Sequence, residues 1–182
     1  LHLLRKLQKM LKKNLMKNIL IEDKKAKSKS FFLKQNHNVF DQKLLGFIKK
    51  NFKKFKKDLR ICMHPNPDAN HHDMIILQQR SNSYPPHKHL RKGETYHMII
   101  GKMGCVLFNN NGKVKKMCVL KKGDIFRVPK NTYHTMMPIT NYVVYHESKI
   151  GPFLKKADSI FPKWLKKYNK FQYLKKFRKK NH

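Results

Sequence analysis

The feature that most constrains the fold of this chain is a series of short apolar runs that begins at residue 59. They are rich in β-branched and aromatic residues, and turn signals such as NSYPP, NNNG and KKGD separate them. Short strands at regular spacing are typical of an antiparallel sandwich or barrel, and NNNG (109–112) indicates a hairpin turn. We therefore predict an all-β fold for this region. The runs are LRICMH, MIILQQR, TYHMIIG, CVLFN, KVKKMCVL, DIFRVP, YHTMMPI and NYVVYHE.

Four potential metal ligands are spaced through the β-rich region. They are His87, His89, Glu94 and His134. His87 and His89 are two residues apart, so on a strand both side chains point to the same face. Imidazole and carboxylate groups are the ligands that borderline divalent metals such as Zn, Fe, Mn and Ni accept. The spacing predicts a site for one divalent metal ion, with a polar interior that holds no metal as the alternative.

The chain divides into three predicted segments. Residues 1–57 form a basic, partly helical N-terminal segment, residues 58–150 the β-barrel, and residues 151–182 a basic C-terminal segment that packs on the barrel. Within the first segment, apolar residues at spacings of three and four predict a helix over 38–57, whereas the polar stretch 21–36 is expected to be a linker. The closing segment shows helical spacing from Phe161 to Leu174 and is expected to be a closing helix or segment with a basic outer face.

The first twenty residues have the pattern of a basic amphipathic helix, with leucines roughly on one stripe. A membrane-surface helix is one interpretation of this pattern. The stretch MKNILIEDKK, however, resembles an ordinary protein start at Met16. We therefore expect residues 1–15 to be a frayed tail or untranslated upstream sequence.

The net charge of +33 raises the question of a nucleic-acid ligand, but the excess lies mostly at the two ends. Residues 1–57 carry 18 basic against 3 acidic side chains, and residues 151–182 carry 11 against 1. Only 6 of the 43 basic residues are arginine, the residue that base-edge and bidentate phosphate contacts favour. A lysine-coated surface is therefore preferred over a specific nucleic-acid site.

The cysteine content and the hydropathy of the sequence give an expectation for the cellular compartment. The three cysteines, Cys62, Cys105 and Cys118, are odd in number and lack CxxC spacing, which favours reduced thiols in a cytoplasm. Cys105 and Cys118 fall on neighbouring predicted strands and are interpreted as small buried side chains. No stretch approaches the about 18–20 continuous apolar residues of a membrane span.

The spacing of the four ligands resembles the two motifs of the cupin superfamily. The first half runs His87, His89, Glu94 and Gly101, and the second runs GDIFRVPKNTYH from Gly123 to His134. The resemblance implies a small jelly-roll barrel that holds one metal ion by three histidines and a glutamate. Three positions depart from the motifs without touching a ligand, and Asn131 in place of glycine is compatible with a left-handed turn. They are Ser81, Asn131 and Pro138.

A longer set of segments, from about residue 58 to 164, is similar to the WbuC-type cupins. It comprises RICMHPNPDANHHDMII, SYPPHKH, ETYHMIIGKMGCVLFNNNGKV, VPKNTYHTMMP and VVYHESKIGPF. Such cupins occur near genes for lipopolysaccharide O-antigen and related surface-sugar synthesis. The resemblance implies a metalloprotein with a small sugar-related ligand, and cupins often pair through their sheets, which implies a homodimer. No particular reaction follows from it.

Other residues of this region are candidates for ligand contacts. Tyr96 shares the inward face with Glu94 by period-two alternation, and could line a pocket or fill the core. Arg60 and His64, with His72 and Asp73, could hold an anionic sugar or nucleotide; a salt-bridged barrel lip is the alternative. One of His146 and Glu147 should lie near the barrel mouth and the other outside, and His97 should face outward.

These observations lead to three functional expectations. The first is a cytoplasmic metal-binding cupin that acts on or binds a sugar-related metabolite in surface-polysaccharide synthesis. The second is a non-catalytic, regulatory module that binds a metal or a small molecule. The third is a basic protein that binds polyanions, which requires the basic side chains of both ends to converge on one face with exposed aromatic rings between them.

Overall fold

The computed structural model describes residues 18–26, 28–55 and 57–179. Ten strands and two α-helices account for most of this part of the chain. The strands are β1 (Leu20–Asp23), β2 (Lys29–Leu33), β3 (Leu59–Cys62), β4 (His71–Gln79), β5 (Glu94–Ile100), β6 (Met103–Phe108), β7 (Val114–Leu120), β8 (Ile125–Val128), β9 (Tyr133–Pro138) and β10 (Tyr142–Ile150). The helices are α1 (Gln42–Phe55) and α2 (Lys170–Lys179), with 3₁₀ turns at Lys155–Ala157 and Lys163–Lys167.

The strands form two sheets, which confirms the predicted all-β class with short helical extensions. The larger sheet has the order β1-β2-β3-β4-β10-β5-β8, and the smaller has the order β7-β6-β9. Neighbours pair in antiparallel fashion except β2 and β3, which are parallel. In the part of the chain that the structure describes, the strands make two separate sheets rather than one closed barrel. The predicted hairpin at NNNG joins β6 to β7, with Gly112 at φ 86°.

Both sheets bury side chains on their two faces. In β4, Met74 and Ile76 enter the core between the sheets, whereas Ile75 and Leu77 belong to a second core beneath α1. In β6 the same alternation divides side chains between the inner core and a third core beneath the C-terminal segment. A strand that is buried on both sides needs few polar residues, which explains the continuous apolar runs in the sequence.

Helix α1 confirms the helix predicted over residues 38–57. Asp41 caps its N-terminus, because its carboxylate accepts hydrogen bonds from the backbone N–H groups of Lys43 and Leu44, each at 3.0 Å. Leu44 and Ile48, one turn apart, are completely buried against the larger sheet. The apolar stripe therefore covers the outer face of β3 and β4.

The linker expected over residues 21–36 is wrong, because this stretch forms most of the β1–β2 hairpin. The lysines and serines, which favour a linker, lie mainly in the turn and at the strand ends. Phe31 and Leu33 are buried under α1, and β2 pairs with β3 in parallel register. The burial of these side chains and the pairing with β3 thus outweigh the weak local preference for a strand.

The C-terminal segment contains a 3₁₀ turn and a helix with a break between them. The 3₁₀ turn Lys163–Lys167 ends at Tyr168, whose backbone is extended. Asn169 then caps α2, because its side-chain oxygen accepts a hydrogen bond from the N–H of Phe171 at 3.0 Å. A capping asparagine between two apolar stripes thus starts a new helix instead of continuing the first.

Two further predictions concern an N-terminal helix and membrane-spanning segments. The helix predicted over the first twenty residues lies almost entirely outside the described residues. No helix that the structure describes combines the length and the apolar character needed to cross a membrane.

The C-terminal segment is held by a close contact between Phe177 of α2 and Gly104 of β6. Phe177 is 1% exposed and belongs to the third core together with Val106, Phe108 and Met137. A Cβ atom on Gly104 would lie 2.5 Å from the Phe177 ring. The absence of a side chain at position 104 is therefore what admits the ring to the sheet.

This contact yields a stability prediction. Phe177→Ala should lower the free energy of unfolding by about 3–5 kcal/mol, through the lost burial and the cavity that remains. Gly104→Ala should cost about 1–3 kcal/mol, because the methyl group displaces the ring. Urea denaturation of both single variants and the double variant would measure these values.

The double variant should lose less stability than the sum of the two changes, because the alanine methyl enters the space that the ring has left. Phe171→Ala on the same helix is the control, since Phe171 is 64% exposed and its truncation should change stability by no more than about 0.5 kcal/mol. Strict additivity of the two changes would contradict the contact.

Candidate metal centre

The four predicted metal ligands come together where the two sheets meet. Glu94 opens β5 of the larger sheet, and His134 lies on β9 of the smaller one. His87 pairs with His134 through two backbone hydrogen bonds of 3.1 and 2.9 Å, and His89 follows two residues later. One potential ligand atom from each of the four residues lies within 4.8 Å of the others. In the part of the chain that the structure describes, no other cluster of His, Cys, Asp or Glu side chains has this arrangement.

A left-handed turn connects the two motifs. Asn131 has φ 58°, and its backbone N–H donates to the carbonyl oxygen of His89 at 2.7 Å. Asparagine tolerates this conformation better than most residues, which is the behaviour expected of a substitute for glycine. The turn places the start of β9 beside the strand segment that carries the first two histidines.

The three imidazole rings share one pattern of hydrogen bonding. Each Nδ1 faces a backbone carbonyl oxygen: that of Pro85 for His87 at 3.0 Å, that of Thr132 for His134 at 3.0 Å, and that of Asp158 for His89. A carbonyl oxygen only accepts hydrogen bonds, so each Nδ1 carries the proton. In the neutral imidazole the Nε2 lone pair is then free to bind a cation.

The carboxylate of Glu94, which is 2% exposed, joins the cluster together. Its Oε1 lies 2.9 Å from Nε2 of His89 and accepts a hydrogen bond from Nζ of Lys149 at 2.8 Å. Its Oε2 lies 2.9 Å from Nε2 of His134 and accepts from the hydroxyl of Tyr96 at 2.7 Å. Burial raises the pKa of Glu94, but the charge of Lys149 and the contacts with the histidines outweigh it and hold the pKa well below its usual range.

The environment of His89 leaves a polar atom without a partner. Although its Nε2 is 2.9 Å from Glu94, the geometry is not that of a hydrogen bond, and this buried nitrogen has no donor or acceptor partner. Burial lowers the pKa of His89, but the adjacent Glu94 carboxylate reverses this and raises it. A positive charge between the two atoms, from a proton or a metal ion, relieves the repulsion of the two lone pairs.

His87 behaves differently from His89. Burial, reinforced by the neighbouring His134, lowers its pKa to about 4, so the ring is neutral at pH 7. A neutral ring whose Nδ1 proton is committed to a carbonyl presents a lone pair to the cluster. The donor set, three oriented imidazoles and one ionised carboxylate, therefore fits a divalent metal of the Zn, Fe, Mn or Ni group.

Two further charged residues complete the site, and sequence reasoning did not assign either of them to it. Lys149 of β10 bridges Glu94 and Glu147, with both Nζ–Oε1 distances 2.8 Å. Two carboxylates and one ammonium carry a net negative charge in this buried site, which a protonated His89 or a bound cation would balance. Period-two alternation from Glu147 could have indicated Lys149, because both side chains point inward from the same strand.

The C-terminal segment supplies the other missed residue, Asp158. Its carbonyl oxygen accepts the Nδ1 proton of His89, and its carboxylate forms a buried ion pair with Lys92. The backbone of this segment is anchored beside the first motif by paired hydrogen bonds between Lys88 and Ile160. No local pattern reveals this role, because Asp158 reaches His89 only after the segment folds back across the sheets.

The predicted ligand-contact residues have different positions. Tyr96 is buried at the cluster and donates to Glu94, and burial together with the Glu94 charge raises its pKa well above the usual range, so the phenol stays protonated. Arg60 is half-buried, and its guanidinium donates to Ser30 at 3.1 and 3.2 Å and to the sulfur of Met74. The structure therefore shows no hydrogen bond between Arg60 and the four ligands.

His64, the third predicted contact, belongs to a separate stacked pair. Its ring lies parallel to that of His72, with centroids 4.1 Å apart, and its Nδ1 donates to the carbonyl of Asp73 at 3.1 Å. The Asp73 carboxylate instead contacts His146 on the outer face. Glu147 faces inward and His146 outward, as expected, and His97 is exposed.

Comparison with known proteins gives one family match and several related folds. The model of a domain of unknown function, DUF6016, matches residues 41–120, which is less than half of the chain. No curated protein matches the sequence.

Several solved structures are similar to this chain. CapF with the inhibitor 3-isopropenyl-tropolone is 15% identical over 57% of this chain and 31% of its own, with a TM-score of 0.48. KdgF from Halomonas sp. is 20% identical over 52% of this chain and 78% of its own, with a TM-score of 0.42. An RmlC-like cupin with a double-stranded β-helix fold from Methanocaldococcus jannaschii is 20% identical over 48% of this chain and 77% of its own, with a TM-score of 0.40. The chain thus spans less than a third of CapF, and its chemistry must be inferred from its own residues.

The stacked histidine pair gives a prediction for pH dependence. Burial and the adjacent His72 lower the pKa of His64 to about 4, against about 6.5 in an unfolded chain. The unfolded state therefore takes up the proton first, and the contribution of His64 to stability, complete above pH 6.5, is lost as the pH falls towards 4. Solvent near the pair reduces the effect to about 1–2 kcal/mol.

Chemical denaturation at pH 7.5 and pH 4.5 would test this expectation. The loss of stability between the two pH values should be smaller in His64→Gln than in the wild type. His97→Gln serves as the control, because His97 is exposed, and it should retain the full pH dependence. If His64→Gln loses as much stability between the two pH values as the wild type, the stacked pair does not contribute to the pH dependence.

Proposed function

We propose that this chain is a cupin that binds one divalent metal ion through His87, His89, Glu94 and His134. The observation that carries the proposal is that a backbone carbonyl selects the same tautomer of all three imidazoles, while Nε2 of His89 and of His134 faces the ionised, buried carboxylate of Glu94. A polar lining without a metal does not require three separate carbonyls to select the same tautomer. The orphaned Nε2 of His89 points to the same conclusion.

The surrounding residues prepare the ligands. Tyr96 and Lys149 each donate to one oxygen of Glu94 and so hold the carboxylate plane in the cluster. Asp158 fixes the ring of His89, and Lys92 in turn neutralises the Asp158 carboxylate. When bound, the metal would supply Lewis-acid polarisation of a ligand carbonyl or hydroxyl, or redox chemistry if it is iron.

We further propose that the site acts on or binds a small sugar-related metabolite in surface-polysaccharide synthesis in the cytoplasm, as a WbuC-type cupin. This finer assignment is supported by the resemblance of residues 58–164 to that group. Arg60 is a proposed contact for an anionic part of the metabolite: its guanidinium forms no ion pair with a carboxylate of the described residues and retains unused donors. His64 is proposed as its neighbour, and pairing of two copies through their sheets is proposed from the resemblance alone.

A non-catalytic metal-binding module is the second candidate. The saturation of both Glu94 oxygens by protein donors favours it, because a fully committed carboxylate is suited to holding a metal more than to moving protons. Cobalt-substituted protein distinguishes the candidates. A change in its visible spectrum on addition of a sugar nucleotide or a free sugar acid would indicate an open coordination position, and an unchanged spectrum would favour the module.

Polyanion binding is the third candidate, and it requires basic residues of both ends on one face. Exposed Phe171 lies among the lysines of α2, which is the arrangement expected of one half of such a face. Residues 1–17, which would supply the other half, lie outside the described part of the chain. Titration with single-stranded DNA at low and physiological salt separates general charge attraction from a specific site.

Metal content provides the direct test of the proposal. Protein purified without a metal-affinity tag should contain about one equivalent of a divalent metal by elemental mass spectrometry. The His87→Ala/His134→Ala double variant should contain none, because two of the four donors are lost. His97→Ala is the matched control and should retain the metal, since His97 lies on the same strand as Glu94 but faces solvent.

The outcome that contradicts the proposal is a wild type that contains no metal and takes none up on reconstitution with Zn, Fe, Mn or Ni. Equal metal in the wild type and the double variant would place the metal elsewhere. Circular dichroism of the double variant distinguishes the loss of ligands from the loss of fold.

A second test concerns the support of the ligands. Tyr96→Phe removes one hydroxyl and leaves the ring in place, so the fold should persist while Glu94 loses a hydrogen bond. Metal affinity, measured by competition with a chromophoric chelator, should fall by about 10–100-fold, as for other residues that orient metal ligands. Tyr145→Phe is the control, because Tyr145 is equally buried but bonds to Gln78 instead of Glu94. Equal affinities in all three proteins would remove Tyr96 from the site.

A further inference from the structure

We propose that Cys105 and Cys118 form a reversible disulfide by exchange with a low-molecular-weight disulfide such as glutathione disulfide. This thiol modification site is separate from the candidate metal centre and does not depend on it. Intracellular disulfides of ordinary organisms are usually transient and redox-sensing, so such a pair is compatible with a cytoplasmic protein.

The register of the smaller sheet places the two cysteines directly opposite each other. Cys105 on β6 and Cys118 on β7 are antiparallel Cα partners. Opposite residues in antiparallel pairs have Cα atoms about 4.5–5.5 Å apart, which lies within the about 4.4–6.8 Å range of disulfides. Opposite residues of an antiparallel pair point to the same face of the sheet, and both cysteines pack in the core between the two sheets.

The two thiols differ in accessibility. Cys105 is 1% exposed and lies in the core between the sheets, whereas Cys118 is half-buried. Strand β7 forms one edge of its sheet, so Cys118 is the sulfur that a reagent in solution can reach. Cys105, behind it, can react only with Cys118.

The ionisation of the two thiols follows the same division. The hydrogen bond from Cys105, helped by Lys116 and opposed by burial and Asp124, lowers the pKa of Cys118 to about 7. The same hydrogen bond and burial raise the pKa of Cys105. At neutral pH a substantial fraction of Cys118 is therefore thiolate, the form that attacks disulfides.

The exchange proceeds in two balanced steps. The Cys118 thiolate attacks one sulfur of glutathione disulfide, which forms a mixed disulfide and releases one glutathione thiolate. Cys105 then loses its proton to this thiolate or to solvent and attacks the sulfur of Cys118, which releases the second glutathione. The two cysteines lose two electrons and two protons in total, and glutathione disulfide is reduced to two glutathione molecules.

Cys62 provides the contrast within the same chain. It lies on β3 of the larger sheet, is 3% exposed, and burial raises its pKa to about 11. It should neither ionise at neutral pH nor meet a second thiol. It therefore serves as the internal reference for alkylation and exchange.

The experiment equilibrates the full chain in glutathione buffers of increasing oxidation, unfolds it in urea, blocks the remaining thiols with iodoacetamide, and measures intact mass and cysteine-containing peptides. The wild type should lose two of its three free thiols and yield a peptide that links Cys105 to Cys118. Cys62→Ser should give the same link. Reduction with dithiothreitol should restore both thiols.

Two variants resolve the steps. Cys105→Ala should stop at a stable glutathione adduct on Cys118, and the pH midpoint for alkylation of Cys118 should rise towards the ordinary thiol value of about 8.5. Cys118→Ala should form neither link nor adduct, and it remains informative even if the buried change at position 105 prevents folding. Three alkylated cysteines in the wild type at the most oxidising ratio, or a glutathione adduct as its end product, would overturn the proposal.

Discussion

The structure of the site depends on one buried carboxylate. Glu94 is enclosed where the two sheets meet, and two donors from different parts of the fold maintain its charge: Tyr96 on its own strand and Lys149 on β10. A buried charge that lost one of these partners would cost several kcal/mol. The packing of the inner core next to the cluster is therefore constrained by electrostatics as well as by shape.

The burial of both faces of the sheets explains the role of the segments that flank the central strands. Both sheets carry apolar side chains on their outer faces, and these faces must be covered. Helix α1 covers the larger sheet and the C-terminal segment covers the smaller one, with Phe177 fitted against the glycine of β6. Helix α1 and the described part of the C-terminal segment thus have an apolar side that packs and a lysine-rich side that faces water.

Much of this arrangement was predictable, and the limits have physical causes. The strands, helix α1, the hairpin at 109–112 and the four clustered side chains follow from local periodicity, turn chemistry and ligand spacing. The β1–β2 hairpin was missed because its pairing with β3 is non-local, and the break before α2 was not indicated by the spacing because it depends on the Asn169 cap. Arg60 and His64 remain proposed ligand contacts, because sequence proximity to the motifs does not reveal that their hydrogen bonds go to Ser30 and to the carbonyl of Asp73.

The carbonyl of Asp158 has a consequence for the order in which the protein is made. All four proposed metal ligands lie between residues 87 and 134, yet the group that sets the ring of His89 is 69 residues away from it, in the last part of the chain. During synthesis, the ligands therefore emerge from the ribosome before the site has its final shape. A metal ion would meet the complete, oriented set only after the C-terminal segment has crossed the sheets, so the proposed site couples metal capture to the folding of that segment.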